Sequence, residues 1–199
     1  ALDHSVLWKG SREEVERFVR FNPQELDRIT NEKNRPLVLI APHFAGLDAT
    51  GIALNLHVRG VSLYQKQSNP VWDKAAFEGR KRFSDPILIA KSRQSDLRPV
   101  IRAMREGLPF YYLPDMDHGI RNSIFVPFFG VPAATLPMHS RLAKITKAKV
   151  LMCVPEMVED GYNVHITDFF EDFPTDDFEG DTLKVTQELE RWIQKYPSQ

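Results

Sequence analysis

The sequence has little net charge and only one cysteine, and both shortages exclude classes of function. Of its 199 residues, 26 are Lys or Arg and 27 are Asp or Glu, so the formal net charge is −1. Proteins that bind polyanions usually carry a clear basic excess, so we expect no nucleic-acid partner. The lone Cys153 excludes an internal disulfide and a cysteine-rich zinc site. Its apolar surroundings predict a buried residue in a reducing compartment.

The sequence also lacks a secretory signal and a clean membrane-spanning segment. The stretch 36–58 is apolar, but it contains His43, Asp48 and His57. A spanning helix needs about 20 apolar residues with few or no charges. No internal repeat, low-complexity tract or linker divides the chain, so we predict one domain over residues 1–199.

Apolar runs and amphipathic patterns alternate along most of the chain. Strands are predicted at 36–41, 61–65, 86–90, 110–113, 150–155 and 162–167, the last as an edge strand. Helices are predicted at 11–21, 47–57, 69–83 and 182–196, together with one that Ser95 caps and Gly107 ends. The first helix begins with a capping box of Ser11 and Glu14. This alternation is typical of an α/β domain with a largely parallel central sheet flanked by helices.

A candidate catalytic pair follows the first predicted strand. His43 comes directly after it, and Asp48 lies in the first turn of the next helix. Active sites of parallel sheets lie beyond the carboxyl ends of the strands. A carboxylate on one imidazole nitrogen fixes the tautomer and lets the other nitrogen accept a proton. The structural alternative is a histidine that caps a helix or is hydrogen-bonded in the core.

No protein nucleophile and no cofactor site accompany the pair. The sequence has no Gly-x-Ser-x-Gly elbow, no cysteine with a plausible activator and no glycine-rich phosphate loop. The pair therefore favours direct transfer, in which the base activates a hydroxyl that belongs to a substrate, and we expect no cofactor. Two alternatives stay open, a hydrolase that uses water and a binding protein that has lost catalysis.

Three further segments are candidates for substrate binding. Asp115, Asp117 and His118 follow the strand at 110–113; they could be metal ligands by type, but we expect them to shape a turn, with no metal bound. Arg121 and Arg141 bracket an uncharged segment that contains Phe125, Phe128 and Phe129. Its prolines predict an irregular conformation. Such a segment could line a hydrocarbon groove, contact a membrane or simply belong to the core. The helix at 69–83 carries Arg80 and Arg82, with Lys66 just upstream, and either attracts anions or is a solvated face.

Taken together, these motifs resemble the lipid A late acyltransferases, the lauroyl and myristoyl transferases of the lysophospholipid-acyltransferase-like superfamily. His43-Phe-Ala-Gly-Leu-Asp48 resembles the family's His-x4-Asp/Glu motif. Tyr112-Leu-Pro-Asp-Met-Asp-His-Gly119 resembles its Asp-x-Asp-x-Gly segment and leads into Phe125-Val-Pro-Phe-Phe-Gly-Val-Pro-Ala133 and Thr135. Residues 193–199 resemble the start of its C-terminal segment.

The resemblance implies a glycerol-3-phosphate-acyltransferase-like fold and a membrane-associated enzyme on the cytoplasmic face of the bacterial inner membrane. It implies an acyl-acyl carrier protein as donor, a lipid A precursor as acceptor, His43 as general base and Asp48 as its orienting partner. It also implies that an N-terminal membrane helix and a short C-terminal segment are missing from these residues. Tyr64-Gln-Lys66 replaces the family's Tyr-Arg-Pro, and Leu136-Pro-Met138 replaces a glycine after Thr135. These departures leave an ornithine lipid or a glycolipid open as acceptor.

Overall fold

A computed structural model describes residues 2–91, 96–116 and 119–199. Its strands, in chain order, are β1 (Val19–Phe21), β2 (Leu37–Ile40), β3 (Val61–Tyr64), β4 (Ile87–Ala90), β5 (Phe110–Tyr112), β6 (Ile124–Phe128), β7 (Val131–Thr135), β8 (Lys149–Val158) and β9 (Gly161–Ile166). Its helices are α1 (Leu2–Lys9), α2 (Arg12–Phe18), α3 (Pro23–Thr30), α4 (Leu47–Leu54), α5 (Pro70–Lys81), α6 (Arg98–Arg105), α7 (Met138–Thr146) and α8 (Phe178–Lys195). In these ranges, no helix combines the length and apolar character needed to cross a membrane.

Seven of the strands form one central sheet in the order β1-β9-β8-β2-β5-β3-β4. Neighbouring strands of this described sheet run parallel, except that β8 and β9 are antiparallel. The prediction of a largely parallel central sheet flanked by helices is confirmed. The strand predicted at 162–167 is present as β9, but its prediction as an edge strand is wrong, because β9 pairs with β8 on one side and with β1 on the other.

The central strands are buried on both faces, which explains their continuous apolar sequences. Val38 and Ile40 of β2 pack on one face, with apolar residues of α6, α7 and α8. Leu37 and Leu39 pack on the other face, with apolar residues of α1 to α4. Successive side chains of a strand point to opposite faces, so each face has its own core. Cys153 of β8 lies in the second core and is fully buried, as predicted.

Several element boundaries differ from the predicted ones. The capping box of Ser11 and Glu14 is present, but α2 ends at Phe18, because residues 19–21 leave the helix to pair with β9. The last helix begins at Phe178 rather than at residue 182, since the side chain of Asp177 accepts hydrogen bonds from the first-turn N–H groups. Ser95, the predicted cap of α6, lies outside the described residues.

The segment predicted to be irregular, residues 122–140, is an antiparallel hairpin followed by α7. The hairpin pairs β6 with β7 and turns at Phe129 and Gly130, which both have positive φ angles, 47° and 79°. Two such residues in succession match the tight turn that fits the twist of a hairpin. The backbone N–H of Phe129 donates to Glu190 of α8 at 2.6 Å, which fastens the turn to that helix. The prolines are accommodated because this two-stranded ribbon has free edges.

Candidate functional site

The centre of the candidate site is a hydrogen-bonded pair, His43 and Asp115. Strands β2 and β5 are parallel neighbours in which Ile40 lies opposite Tyr112. His43 and Asp115 each stand three residues beyond these paired positions, so the two chains leave the sheet side by side. Nδ1 of His43 lies 2.6 Å from Oδ1 of Asp115. The backbone N–H of His43 donates to Oδ2 of the same carboxylate at 2.7 Å.

This double contact selects the tautomer of the neutral imidazole. An ionised carboxylate only accepts hydrogen bonds, so the neutral ring carries its proton on Nδ1 and keeps a lone pair on Nε2. The side chain of His43 is 38% exposed and that of Asp115 is 20% exposed. The acceptor nitrogen therefore belongs to an accessible ring, while the carboxylate that orients it is largely shielded. This arrangement is suited to taking a proton from a bound hydroxyl.

Asp48, the partner predicted for His43, binds Arg80 instead. Its carboxylate lies in the first turn of α4 and accepts from Nη2 of Arg80 at 2.8 and 3.1 Å and from Nε at 3.1 Å. Nε2 of His4 lies 3.7 Å from Oδ2 of the same carboxylate. The hydrogen bond to a ring nitrogen of His43 that we predicted for Asp48 is made by Asp115. Asp48 instead holds the guanidinium of Arg80.

His43, Asp48 and Arg80 line one cavity of about 330 Å³, referred to below as the first cavity. Its wall combines leucines of β3, β4 and the β5 end with polar side chains, among them Asn55, Gln65, Gln67 and Lys91. A cavity of this size and mixed lining is typical of a small-molecule site. It presents both the candidate base and a cation to whatever binds there.

A second cavity of about 330 Å³ lies on the other side of Asp115. Its wall comes from the hairpin, α7 and α8, and is mainly apolar: Phe128, Ala133, Ala134, Val185 and Leu189. Met116 lines both cavities. The short segment that follows β5 therefore separates a cavity with a mixed polar and apolar wall from one whose lining is mainly apolar, and Asp115 lies at that boundary.

The remaining predicted cations lie in different surroundings. Lys66 is exposed, between Gln65 and Gln67 of the first cavity. Arg82 is partly buried and donates to the backbone carbonyls of Leu7 and Gly10, so it fastens the chain around α1 rather than facing a ligand. Arg121 is exposed, just ahead of the hairpin.

The three predicted phenylalanines of the hairpin separate into two groups. Phe128 lines the second cavity, whereas Phe125 and Phe129 are 55% and 47% exposed on the outer surface. Alternation along a strand sends neighbouring side chains in opposite directions, which explains the division within β6. Asp117 and His118 lie outside the described residues.

Two residues of these cavities were not singled out from the sequence. Lys91, which directly follows β4, lines the first cavity, and its position after a strand was the available signal. His139 lies in the first turn of α7 and lines the second cavity. No pattern in the sequence points to His139, because the segment that contains it reads as irregular. Burial lowers the pKa of His139 from 6.5 to about 4, so its ring is neutral near pH 7.

Comparisons with known proteins agree on one family. A sequence profile described as bacterial lipid A biosynthesis acyltransferase matches residues 3–199. A lipid A biosynthesis acyltransferase of Haemophilus influenzae is 33% identical over 175 residues, which cover 84% of this chain and 52% of that protein. The lipid A biosynthesis myristoyltransferase of Escherichia coli K12 is 30% identical over 156 residues, which cover 78% and 47%. The chain thus spans about half the length of these curated relatives.

A solved structure supports the fold. The crystal structure of the 1-acyl-sn-glycerophosphate acyltransferase PlsC from Thermotoga maritima aligns with a TM-score of 0.57 at 12% identity, covering 100% of this chain and 80% of that one. At this identity the likeness concerns the fold alone. It confirms the predicted glycerol-3-phosphate-acyltransferase-like architecture.

Proposed function

This chain belongs to the family of bacterial lipid A biosynthesis acyltransferases, and from that premise we propose that it transfers a fatty acyl group from an acyl-acyl carrier protein to a hydroxyl of a lipid A precursor. The observation that carries the proposal is the hydrogen bond between Nδ1 of His43 and Asp115, which leaves Nε2 as a proton acceptor in an accessible cavity. A base without an adjacent protein nucleophile suits direct attack by the acceptor hydroxyl.

In the proposed reaction, Nε2 of His43 takes the proton of the acceptor hydroxyl. The oxygen attacks the thioester carbonyl carbon and forms a tetrahedral oxyanion. Collapse of this intermediate breaks the carbon–sulfur bond and forms the ester, and the imidazolium returns its proton to the departing thiolate. Asp115 stabilises the imidazolium through Nδ1 and keeps the ring in its tautomer.

Arg80 is proposed to bind a phosphate or the developing oxyanion. Its side chain is 29% exposed in the wall of the first cavity, and Asp48 holds two of its nitrogens. A guanidinium that is fixed in place needs no reorganisation when negative charge develops beside it. Lys91 adds a second cation to the same wall. Asp48 thus acts as a positioning residue for Arg80.

The second cavity is proposed to hold the acyl chain of the donor. Its lining is mainly apolar, and it reaches Asp115 at the centre of the site. A hydrocarbon chain gains free energy in proportion to the apolar area that it buries. With the chain in this cavity, its thioester end would lie near His43, where the acceptor hydroxyl of the first cavity can reach it.

An apolar surface around the hairpin is proposed to contact the cytoplasmic face of the bacterial inner membrane. Its residues are 47–76% exposed: Met116, Ile120, Phe125, Phe129 and Val131. Contiguous exposed apolar side chains mark protein or membrane contacts. The surface lies on the elements that enclose the second cavity, so docking there would bring lipid substrates to the site.

The direct test of the function measures transfer by the purified full-length protein from acyl-acyl carrier protein to a lipid A precursor, with mass spectrometry of the product. We expect an ester-linked acyl chain on the acceptor and a loss of about 10²–10⁴-fold in His43→Ala. Full activity of that variant would refute the role of His43. Release of free fatty acid alone would identify a hydrolase, and transfer only to an ornithine lipid or a glycolipid would move the acceptor to that class.

A further inference from the structure

Among the described residues, His139 finds no hydrogen-bond partner, although it is fully buried in the wall of the second cavity. Its relative exposure is 0%. In the part of the chain that the structure describes, neither Nδ1 nor Nε2 has a partner. The ring stacks on Phe173 at 6.2 Å and lies 6.2 Å from the ring of Tyr112. A buried polar group without a hydrogen-bond partner destabilises the fold. A histidine in this position therefore indicates a ligand group that hydrogen-bonds to its ring.

The polar groups around His139 are already committed elsewhere. Asp181 accepts from the hydroxyl of Ser140, and from the backbone N–H and hydroxyl of Thr175 at 2.9 and 3.0 Å. Thr186, which also lines the cavity, donates its hydroxyl to the carbonyl of Thr182 at 2.9 Å. His139 is therefore a cavity residue whose two ring nitrogens have no partner among the described residues, so both remain available to a ligand.

The protonation state of the ring selects the chemistry of that ligand. Because burial keeps the imidazole neutral, it offers one N–H donor and one acceptor nitrogen. A hydroxyl both donates and accepts, so it can pair with either nitrogen. A carboxylate or phosphate would bring an uncompensated charge into an apolar cavity, which is strongly unfavourable. The ligand suited to this wall is an apolar chain with one hydroxyl.

We propose that His139 is a specificity-determining residue that hydrogen-bonds a hydroxyl on the acyl chain, so that the protein takes a hydroxylated acyl donor in preference to an unsubstituted one. The inference rests on the proposed function, because the second cavity is assigned there to the acyl chain. The inference specifies the chemical class of the acyl donor as a hydroxyacyl group. The cavity of about 330 Å³ would hold its hydrocarbon part.

The experiment compares myristoyl, 2-hydroxymyristoyl and 3-hydroxymyristoyl carrier-protein donors in competition, with the same acceptor. The wild-type protein is expected to favour one hydroxylated donor by about tenfold in kcat/KM, the effect of one buried hydrogen bond. His139→Leu, which keeps the apolar volume, is expected to bring this ratio close to unity while retaining transfer of the myristoyl chain. Thr146→Val removes a hydroxyl that is bonded within α7, the helix of His139, and does not line the cavity, so it should leave the preference unchanged.

The outcomes separate the inference from the function on which it rests. No transfer with any donor would reject the proposed function. Transfer without preference for a hydroxylated chain, or an unchanged preference in His139→Leu, would reject the role of His139 alone. Calorimetric binding of methyl myristate and of the methyl esters of its hydroxylated analogues to both proteins provides a readout independent of the acceptor. Equal affinities in the wild-type protein would overturn the inference there too.

Discussion

His43 and Asp115 are 72 residues apart in the sequence, yet their side chains are 2.6 Å apart, because β2 and β5 are parallel neighbours in register. Each residue follows its strand by the same interval, beyond the pair Ile40 and Tyr112. The carboxylate is therefore positioned by the sheet, which is rigid, rather than by a local turn. A catalytic pair on adjacent strand ends keeps its geometry while loops around it accommodate substrates.

Asp115→Asn should reduce kcat by about 10²–10⁴-fold, because the amide can donate to Nδ1 and so favour the wrong tautomer of His43. The measurement is single-turnover transfer at saturating donor. Asp48→Asn provides the contrast, since Asp48 contacts Arg80 rather than Nδ1. A loss in Asp48→Asn as large as that in Asp115→Asn, with no change in KM, would contradict this division of roles.

Asp48 and Arg80 should behave as a coupled pair. Arg80→Lys removes the planar fork that spans both carboxylate oxygens, so we expect a several-fold rise in the KM for a phosphorylated acceptor. In a double-mutant cycle with Asp48→Asn, the coupling free energy should be about 1 kcal/mol, a modest value because both side chains are about one third exposed. Additive effects of the two substitutions would argue against the pair.

Filling the second cavity should shorten the acyl chain that the protein accepts. Ala133→Leu adds volume to the cavity wall on the face of β7 that lies opposite buried Val126, so we expect the preference among lauroyl, myristoyl and palmitoyl donors to move toward lauroyl by about tenfold or more. Competition assays with mass spectrometry measure this shift. Val131→Leu, an apolar change at an exposed position of the same hairpin, is the matched control. Equal shifts in both variants would contradict the assignment of the acyl chain to the second cavity.

Polar substitutions on the apolar surface of the hairpin should weaken membrane binding. The double variant Phe125→Ser and Val131→Ser is expected to bind vesicles of phosphatidylethanolamine and phosphatidylglycerol about tenfold less tightly, with transfer to a detergent-solubilised acceptor retained. Co-sedimentation measures the binding. Ile145→Ser is the control, because Ile145 is also 55% exposed but lies on α7 beside α6. An equal loss in the control would show that general hydrophobicity, not this surface, is responsible.

The neutral state of His139 should make the protein less stable in acid. Its pKa is about 4 in the folded chain and 6.5 ordinarily, so between these values the unfolded state binds more protons. The free energy of unfolding therefore falls as the pH is lowered through that window. Between pH 7 and pH 5 this residue should account for about 2 kcal/mol. Denaturant unfolding of the wild-type protein and His139→Leu at both pH values tests this, and parallel losses would contradict it.

The sequence by itself determined the class of fold and the position of the proposed base. Continuous apolar runs alternating with amphipathic segments could only be buried in a parallel sheet covered on both faces, and a histidine directly after such a run lies at the active edge. The hairpin and α7 were missed because prolines and a phenylalanine in the turn disguise the pattern. In the hairpin, the pairing of β6 with β7 and the hydrogen bond from Phe129 to Glu190 outweigh the low strand propensity of its prolines.

Only the tertiary structure decided which carboxylate pairs with the proposed base. Local spacing favours Asp48, five residues along the chain, because nothing in a one-dimensional pattern specifies the order of strands in a sheet. The position of β5 beside β2 brings Asp115 to Nδ1 of His43, and the packing of α5 against α4 lets Arg80 bind Asp48. The same packing places His139 in a mainly apolar cavity, where no described residue pairs with its ring nitrogens. Sequence specified the chemical groups, and long-range packing, which no local propensity encodes, specified their partners.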